Sequence, residues 1–427
     1  MQTRSPTGQV DLLQLVASQR PELRAVGSRT SKSPCFKTEG CEIDLAAFSE
    51  MEHLGDGRVR VGAGVILDDL LTYLALHKLA LPNIGEWAGQ TIAGVISTGT
   101  HGGSYEHASV CAAVTKLSLI DGMGELRIFE RGDPGFDLLL PSFGCTGILV
   151  EFELLCPPIF NLALGRRWLD FEDYISELIT NPEHVEFRSS IWLPAAGKVL
   201  DYSAKRVEST AGYENHREPR FNDTAMVFDW ISRQPSKWSN RGIFAGGSLI
   251  ANLTQSLTQP LSLLFPDKQY LGSYLDILAP LRGSAADILA KRARNRTPPE
   301  GEFAVSYANA PRLLRHLDKL FRVQGLAPDR PIGLRPGAKE NGALSATLDG
   351  PCVWVSMFIY ADNPFMRLLP DILVEFEARP HWGKCVFHRP SDIPALYPRW
   401  NEFCEFRKSL DPEGRFINKF AADFGIE

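Results

Sequence analysis

Apolar residues recur with helical and strand periods in close succession over the first 157 residues of the chain. An apolar residue at every third or fourth position predicts helices over residues 11–20, 67–79 and 136–140. Short apolar or alternating runs predict strands over residues 23–27, 59–62, 114–120 and 126–130, with a DGMG hairpin turn between the last two. Helices and strands therefore alternate throughout this part.

After Pro157 and Pro158 the pattern changes to longer blocks, which are typical of an antiparallel sheet flanked by helices. The predicted helices cover residues 171–179 and 311–324, and the predicted strands cover 185–192, 198–206 and 352–360. Long apolar helical runs fill residues 207–299, to which we assign no chemical role. We predict an α+β protein with one domain at 1–157 and a second at 158–427.

Composition removes several classes of function. A chain of 427 residues fits two domains, and its net charge of −6 disfavours nucleic-acid binding despite a short basic run at 291–296. No apolar run has the length of a signal peptide or of a membrane span. The eight cysteines are dispersed without a C-x-x-C pair, which argues against a zinc site or a redox dithiol. We expect a cytoplasmic protein.

The segment GQTIAGVISTGTHGG at residues 89–103 holds five glycines, four Ser or Thr residues and one histidine. Two further loops of this character lie at residues 26–31 (VGSRTS) and 144–147 (GCTG). Glycine lets a ligand approach the main chain, whose N–H groups suit an anion, so three such loops predict an elongated ligand such as a dinucleotide. The chain has neither the G-x-G-x-x-G arrangement of a Rossmann fold nor a P-loop, so the dinucleotide is held in another way.

The order of these segments resembles the FAD-binding domain of the vanillyl-alcohol-oxidase type, also called the p-cresol methylhydroxylase (PCMH) type. The stretches HVEFRSSIWLP at 184–194, ARPHWGK at 378–384 and LDPEGRFINKF at 410–420 are similar to the aldonolactone and alditol oxidase branch of that family. The resemblance extends from about residue 9 to residue 420. It implies a PCMH-type FAD-binding domain at 1–157 and a substrate-binding cap domain at 158–427, with the segment from about 395 to 427 returning to the FAD domain.

The resemblance also implies which residues bind FAD. Loop 26–31 would wrap the pyrophosphate, residues 91–102 would line the flavin, and Gly147 with Ile148 would meet the adenosine end. Lys384 would lie near the isoalloxazine and the substrate hydroxyl, and Asn418 would belong to the returning segment that closes the site. The implied FAD-binding residues are Val26, Gly27, Ser28, Arg29, Thr30, Ser31, Gln90, Thr91, Gly94, Ser97, Gly99, Thr100, His101, Gly102, Gly147, Ile148, Lys384 and Asn418.

Three departures from the family pattern affect the prediction. Thr30 stands where many relatives have a histidine that bonds covalently to the flavin, and Arg29 replaces a glycine, so we predict non-covalent FAD. Where the branch has a Glu-x-Arg pair, this chain has Gly333 and Arg335, so the carboxylate is missing and the cation remains. On the predicted strand 352–360, Ser356 and Phe358 stand where polyol oxidases tend to have a histidine and a threonine. The residues expected to contact the substrate therefore differ from those of the polyol oxidases.

These residues still permit alcohol oxidation by hydride transfer to the flavin. Lys384 and Arg335 are the predicted catalytic residues, because a cation beside the substrate hydroxyl lowers the pKa of that hydroxyl. For His101 we favour a structural hydrogen-bonding role beside the flavin over that of a general base. Glu106 and His107 follow it at no recognised ligand spacing, so no metal is expected.

The predicted function is FAD-dependent oxidation of a CH–OH group in a sugar, polyol, aldonolactone or related hydroxylated small molecule. Oxygen or another acceptor would reoxidise the flavin. One alternative keeps the flavin but has a non-sugar biosynthetic alcohol as substrate, because Ser356 and Phe358, the predicted substrate-binding residues, suggest a less polar pocket. Another is a flavin-binding protein without turnover.

Overall fold

The computed structural model describes residues 2–18, 22–208, 268–274, 278 and 299–427. Most of the predicted apolar helical region at 207–299, with the basic run at 291–296, lies outside the described residues. Before Pro157 the elements are β1 (Gln2–Arg4), α1 (Gln9–Ser18), β2 (Leu23–Val26), β3 (Cys41–Asp44), β4 (Met51–Gly55), β5 (Arg58–Gly62), α2 (Leu67–Leu76), α3 (Ile92–Thr98), β6 (Val114–Ile120), β7 (Leu126–Glu130) and β8 (Ile148–Leu155).

The strands of this first part form two sheets. Three short parallel strands have the order β1-β3-β2, and five antiparallel strands have the order β4-β5-β8-β6-β7. Leu12 and Val16 of α1 and Leu70, Leu71 and Leu74 of α2 bury their side chains in the same apolar core as the strands. The loops that follow β2 and precede α3 are thereby held close together.

The glycine-rich segment is predicted as a loop, and this prediction is wrong for its centre, which forms α3. The Thr91 Oγ1 atom accepts a hydrogen bond from the Gly94 N–H at 3.3 Å and caps the N-terminus of the helix. Gly99 ends the helix with a left-handed φ of 66°. Ile92 and Val95 are fully buried, so tertiary burial offsets the weak helix propensity of glycine and the β-branched residues.

The second part of the chain is built on an eight-stranded sheet. Its elements are β9 (Asn161–Asp170), α4 (Phe171–Thr180), β10 (Phe187–Leu193), β11 (Lys198–Val207), β12 (Lys268–Ser273), β13 (Glu300–Ser306), α5 (Ala310–Val323), β14 (Ile332–Gly337), β15 (Cys352–Phe358), α6 (Leu369–Glu375) and β16 (Arg379–Pro380). The strand order in the sheet is β12-β9-β11-β10-β14-β15-β13-β16. Helices α4 and α5 bury apolar side chains such as Phe171 and Leu317 in one core with Trp192 and Val355 of the sheet.

The C-terminal residues pack against the first part of the chain. Three helices, α7 (Ile393–Leu396), α8 (Trp400–Leu410) and α9 (Lys419–Asp423), share an apolar core with Cys35 and Phe143. The predicted domain boundary at 157 stays a prediction, because one continuous core includes Leu154 before it and Leu162 after it.

The predicted mixture of helices and antiparallel strands is confirmed, with ends that shift by one to three residues. The helix predicted to reach Leu79 ends at Leu76, because Lys78 adopts a left-handed φ of 59°. The strand predicted to reach Tyr360 ends at Phe358, and the short helix predicted at 136–140 is a single 3₁₀ turn at Phe136–Leu138. In the described part of the chain, no helix has both the length and the apolar character needed to cross a bilayer.

The cap of α3 leads to the first prediction. Replacing Thr91 by Ala removes the side-chain acceptor for the Gly94 N–H and is expected to lower the free energy of unfolding by about 1 kcal/mol. Thr91→Ser keeps the hydroxyl and should retain most of that stability. Urea denaturation of the three proteins measures the difference, and equal midpoints for Thr91→Ala and wild type would show that the cap contributes nothing.

Candidate flavin site

A cavity of about 470 Å³ opens between the loop after β2 and helix α3. More than half of the residues that line it are Gly, Ala, Ser, Thr or Cys, as expected for a site that meets its ligand through main-chain groups. Of the residues predicted to bind FAD, those that line this cavity are Val26, Gly27, Ser28, Arg29, Thr30, Ser31, Gln90, Thr91, Gly94, Ser97 and Gly147.

Gly27 shows how closely the two walls approach each other. A Cβ atom at this position would lie 2.1 Å from Thr91 Oγ1, so any side chain here would displace the cap of α3. Because Gly27 has no side chain, the loop after β2 and the N-terminus of α3 can both line the same cavity.

The loop after β2 presents free backbone donors to the cavity. Among the described residues, no protein acceptor receives a hydrogen bond from the N–H groups of Ser28, Arg29 or Ser31. Arg29 has a left-handed φ of 51°, although it is not glycine, and its Nη2 lies 2.7 Å from Glu42 Oε2. A left-handed residue beside free N–H groups, here those of Ser28, Arg29 and Ser31, is an arrangement that binds phosphate oxygens. The residues present therefore fit a dinucleotide pyrophosphate.

Arg24 joins the segments around this cavity, and the sequence analysis did not single it out. Its guanidinium is buried and donates to the carbonyl oxygens of Gly144 at 2.9 Å, Phe416 at 3.0 Å, Cys35 and Phe143. Burial lowers the pKa of Arg24 from its ordinary value. A charged residue inside the apolar strand LRAV was the signal in the sequence.

Other predicted FAD-binding residues do not line this cavity themselves. Ile148 is fully buried in β8 opposite Ile120 of β6. Gly99, His101 and Gly102 line a second, much smaller cavity beyond the end of α3, and Thr100 is buried beside it in the chain.

Asn418 supports the cavity from outside. Its Nδ2 donates to the carbonyl oxygens of Cys35 at 2.9 Å and Lys37 at 2.8 Å, and its Oδ1 caps α9. Because Cys35 lines the cavity, Asn418 positions a wall of the site rather than lining the site itself.

Lys384 lies in a half-buried ionic cluster next to the loop after β2. Its Nζ pairs with Glu300 Oε1, while Lys32 Nζ lies 3.6 Å from Glu300 Oε2. Burial by itself would raise the pKa of the Glu300 carboxyl, but the two lysines lower it below its ordinary value. Burial would likewise lower the pKa of Lys384, but Glu300 and Glu302 raise it. Both partners are therefore charged at neutral pH.

The loop and the HWGK segment are also joined through their backbones. The Lys32 N–H donates to the Gly383 carbonyl at 2.8 Å, and Ser33 Oγ donates to the Trp382 carbonyl at 2.6 Å. The predicted pyrophosphate loop and the predicted catalytic lysine are thus held together, although more than 350 residues separate them in the chain.

Strand register identifies the neighbours of Arg335. Its direct cross-strand partner on β15 is Trp354, while Gly333 is opposite Ser356. Arg335 pairs with Glu86 and donates through Nε to Ser189 Oγ at 3.3 Å. Side chains two residues apart in a strand lie on the same face of the sheet, so Trp354 lies on the same face of β15 as Ser356. The sequence alone could therefore have placed Trp354 next to the predicted substrate-binding residue Ser356.

The predicted substrate-binding residues have different surroundings. The Ser356 hydroxyl donates to Glu300 Oε1 at 3.5 Å and so belongs to the ionic cluster. Phe358 is half-buried at the end of β15, and its ring centre lies 5.8 Å from the Arg330 guanidinium. Only Ser356 therefore contacts the cluster that holds Lys384.

His101 is packed as a supporting residue. Its ring stacks on Trp354 with 3.9 Å between ring centres, and its Nδ1 lies 2.9 Å from the Gly102 carbonyl oxygen. A carbonyl can only accept, so Nδ1 is the donor. Burial lowers the pKa of His101 to about 4, so the ring is neutral at pH 7. These contacts support the hydrogen-bonding role expected from the sequence.

Comparison with known proteins identifies the family. The D-arabinono-1,4-lactone oxidase family matches residues 153–424, and the FAD binding domain family matches residues 2–130. The chain belongs to the D-arabinono-1,4-lactone oxidase family. This finding confirms the predicted branch, the predicted cofactor FAD and the predicted oxidoreductase activity on CH–OH groups.

Individual relatives match almost the full chain. L-gulono-1,4-lactone dehydrogenase of Mycobacterium tuberculosis is 25% identical over 426 residues, which are 97% of this chain and 94% of that protein. L-gulonolactone oxidase of Mus musculus is 23% identical over 436 residues, covering 96% and 91%. Alditol oxidase of a Streptomyces species is 25% identical over 374 residues, covering 86% and 80%.

The fold is shared with more distant proteins. The crystal structure of cholesterol oxidase from B. sterolicum matches with a TM-score of 0.75 at 16% identity, covering 99% of this chain and 93% of that one. At this identity the similarity shows the fold alone. It confirms the predicted combination of an FAD-binding part and a cap with an antiparallel sheet.

The contacts of Arg24 lead to the second prediction. Arg24→Met leaves four carbonyl groups without their donor, three of them on buried residues, and each buried unsatisfied group costs about 1–3 kcal/mol. We expect a loss of at least about 3 kcal/mol in unfolding free energy together with weaker retention of FAD. Arg60→Met, at an exposed arginine of β5, is the control. Thermal unfolding and flavin content test this, and an Arg24→Met protein as stable as the control would contradict it.

Proposed function

We propose that this chain oxidises a secondary or primary hydroxyl group of a polyol, sugar or aldonolactone, using non-covalently bound FAD. The observation that carries this proposal is the concentration of polar side chains around Lys384, where the half-buried Glu300 lies near the buried Glu302, Ser356 and His101. Such a cluster suits a substrate with many hydroxyl groups, and it weighs against the less polar pocket that Phe358 suggests. The names of the gulonolactone and alditol relatives agree with this substrate class.

The residues that would hold FAD are the loop after β2, for the pyrophosphate, and the N-terminal half of α3. When bound, the isoalloxazine supplies a hydride acceptor. Lys384 and Arg335 supply positive charge, and a cation beside the substrate hydroxyl favours loss of its proton. Glu300 keeps Lys384 protonated and in place. Lys384 and Arg335 are accordingly the proposed catalytic residues.

Non-covalent attachment is supported by the wall of the cavity. Among the described residues that line it there is no histidine, and Thr30 offers only a hydroxyl. Cys35 also lines the cavity, but its thiol is buried and donates to Ser31 Oγ at 3.5 Å. A covalent flavin would need a reactive imidazole or thiolate, so the tightly packed backbone is the proposed source of affinity.

The electron acceptor and the compartment are also part of the proposal. Relatives carry the names oxidase and dehydrogenase, so oxygen and another acceptor are both chemically reasonable. Stopped-flow reoxidation of the reduced protein by oxygen, compared with a quinone or a dye, decides between them.

All eight cysteines are free thiols, which supports a reducing compartment such as the cytoplasm.

The cofactor prediction is tested on the purified protein. We expect the absorption bands of oxidised flavin, and we expect all yellow colour to leave the protein on acid precipitation. Colour that stays with the precipitated protein would show covalent attachment, and digestion with mass spectrometry would then identify whether Cys35 carries it. Absence of flavin bands after incubation with FAD would refute the whole proposal.

The catalytic prediction uses anaerobic bleaching of the flavin by D-sorbitol, xylitol, L-gulono-1,4-lactone and 1-hexanol. We expect bleaching by one or more of the polyhydroxy compounds, and Lys384→Met should slow it about 100-fold, as for loss of one stabilising cation or donor. Lys32 still pairs with Glu300 in this variant, so FAD should remain bound. Lys408→Met, at an exposed lysine of α8, should behave as wild type. An unchanged rate in Lys384→Met would remove Lys384 from the mechanism.

A further inference from the structure

Arg335 on β14 has no side chain beside it on its own strand. Residues two apart in a strand lie on the same face, and both neighbouring positions of this kind, 333 and 337, are glycine. A Cβ atom at Gly337 would lie 2.4 Å from Trp354 Nε1, so the indole takes the space that a side chain would need. The contacts that fix the guanidinium therefore come from other segments of the chain.

The guanidinium is held through two of its nitrogen atoms. Its Nε donates to Ser189 Oγ at 3.3 Å, and its Nη2 forms an ion pair with Glu86 Oε1. In the part of the chain that the structure describes, Nη1 has no hydrogen-bond acceptor, and 20% of the Arg335 side chain is exposed. A guanidinium is a planar fork of donors, so fixing Nε and Nη2 also fixes the direction of Nη1.

Glu86 lies on backbone that is anchored on both sides. Before it, Asn83 Nδ2 donates to the Ala108 carbonyl oxygen at 2.7 Å. After it, the Ala88 carbonyl oxygen accepts from the Asp68 N–H of α2 at 2.9 Å. The carboxylate therefore reaches Arg335 from a fixed segment that precedes α3.

The backbones of this segment and of β14 are joined independently of the ion pair. A Cβ atom at Gly102 would lie 2.4 Å from the Ile84 carbonyl oxygen, so the chain after α3 packs directly on the segment. Two residues later, the Ser104 N–H donates to the Pro336 carbonyl oxygen of β14 at 3.1 Å. Removing the carboxylate should therefore free the guanidinium and leave the fold in place.

We infer that Glu86 is the positioning residue of Arg335: its carboxylate fixes the plane of the guanidinium and so presents Nη1 to the substrate oxygen. The inference rests on the proposed function, in which Arg335 supplies positive charge beside that oxygen. The charges of Glu300 and Glu302 also act on Arg335, but within the described residues neither forms an ion pair with it. Direct contact therefore gives the orienting role to Glu86.

The competing interpretation is an ion pair that only adds stability. Both side chains are partly exposed, 20% for Arg335 and 31% for Glu86, and exposed ion pairs contribute little to folding. A positioning role predicts a slower reaction in a protein of nearly unchanged thermal stability and FAD content. A purely structural role predicts no such separation.

The test is a double-mutant cycle measured by anaerobic flavin reduction with a saturating polyhydroxy substrate. We expect the limiting rate to fall about 100-fold in Arg335→Met, for loss of the cation, and about tenfold in Glu86→Ala, for loss of its orientation. The double variant should be no slower than Arg335→Met, because Glu86 acts only through Arg335. Multiplied losses in the double variant, or an unchanged limiting rate in Glu86→Ala, would overturn the inference.

Glu86→Gln separates orientation from charge. The amide oxygen can still accept from Nη2, so this variant should recover most of the rate that Glu86→Ala loses. A Glu86→Gln protein as slow as Glu86→Ala would show that charge matters rather than position, and would overturn the inference. Glu172→Ala is the matched control, because Glu172 forms an exposed ion pair with Arg315 and should be replaceable without loss of rate.

Failure of the proposed function gives a different result. A wild type that none of D-sorbitol, xylitol and L-gulono-1,4-lactone bleaches would refute that function, and the inference with it. A wild type that is bleached, together with multiplied losses in the cycle, overturns only the role of Glu86. A wild-type rate in Arg335→Met would remove Arg335 from the mechanism and overturn the inference, while Lys384 would still support the proposed function.

Discussion

The guanidinium of Arg24 is the contact on which the flavin cavity depends. It binds backbone carbonyls from the loop at Cys35, from the turn at Phe143 and Gly144, and from Phe416 near the C-terminus. Neutral carbonyl dipoles compensate this buried charge only if all of them stay in place. A single side chain therefore couples the order of three distant segments, and two of these, at Cys35 and at Phe143 and Gly144, line the cavity.

The same principle governs the chemistry around Lys384. Charges removed from water persist in proteins when they are paired, and the half-buried Lys384, Glu300 and Lys32 form such a group. Pairing keeps Lys384, the proposed catalytic cation, charged at neutral pH. The His101 Nε2 atom departs from this pattern, because it is fully buried and has no hydrogen-bond partner among the described residues.

Local sequence patterns predicted much of the first part of the molecule and fewer of the residues around Lys384. The loop after β2 was found because glycine and hydroxyl residues without apolar periodicity indicate exposed backbone. Helix α3 was missed, since three of its seven residues are isoleucine or valine and one is glycine, and its stability comes from burial against neighbouring strands. Ile148 and Asn418, which resemblance assigns to FAD, do not line the cavity themselves, but Ile148 lies between Gly147 and Leu149, which do, and Asn418 donates to the carbonyl of Cys35 in its wall.

What the sequence determined by itself is the family, the cofactor and the loops that meet it, because those properties reside in short continuous segments with distinctive residue order. Only the tertiary structure decided which side chains complete the site. Trp354 and Glu302 come next to His101 through the register of β13, β14 and β15. Glu300 reaches Lys384 because β13 also pairs with β16, which the HWGK segment follows. Strand register joins residues that are far apart in the chain, and no local pattern encodes which positions will face each other.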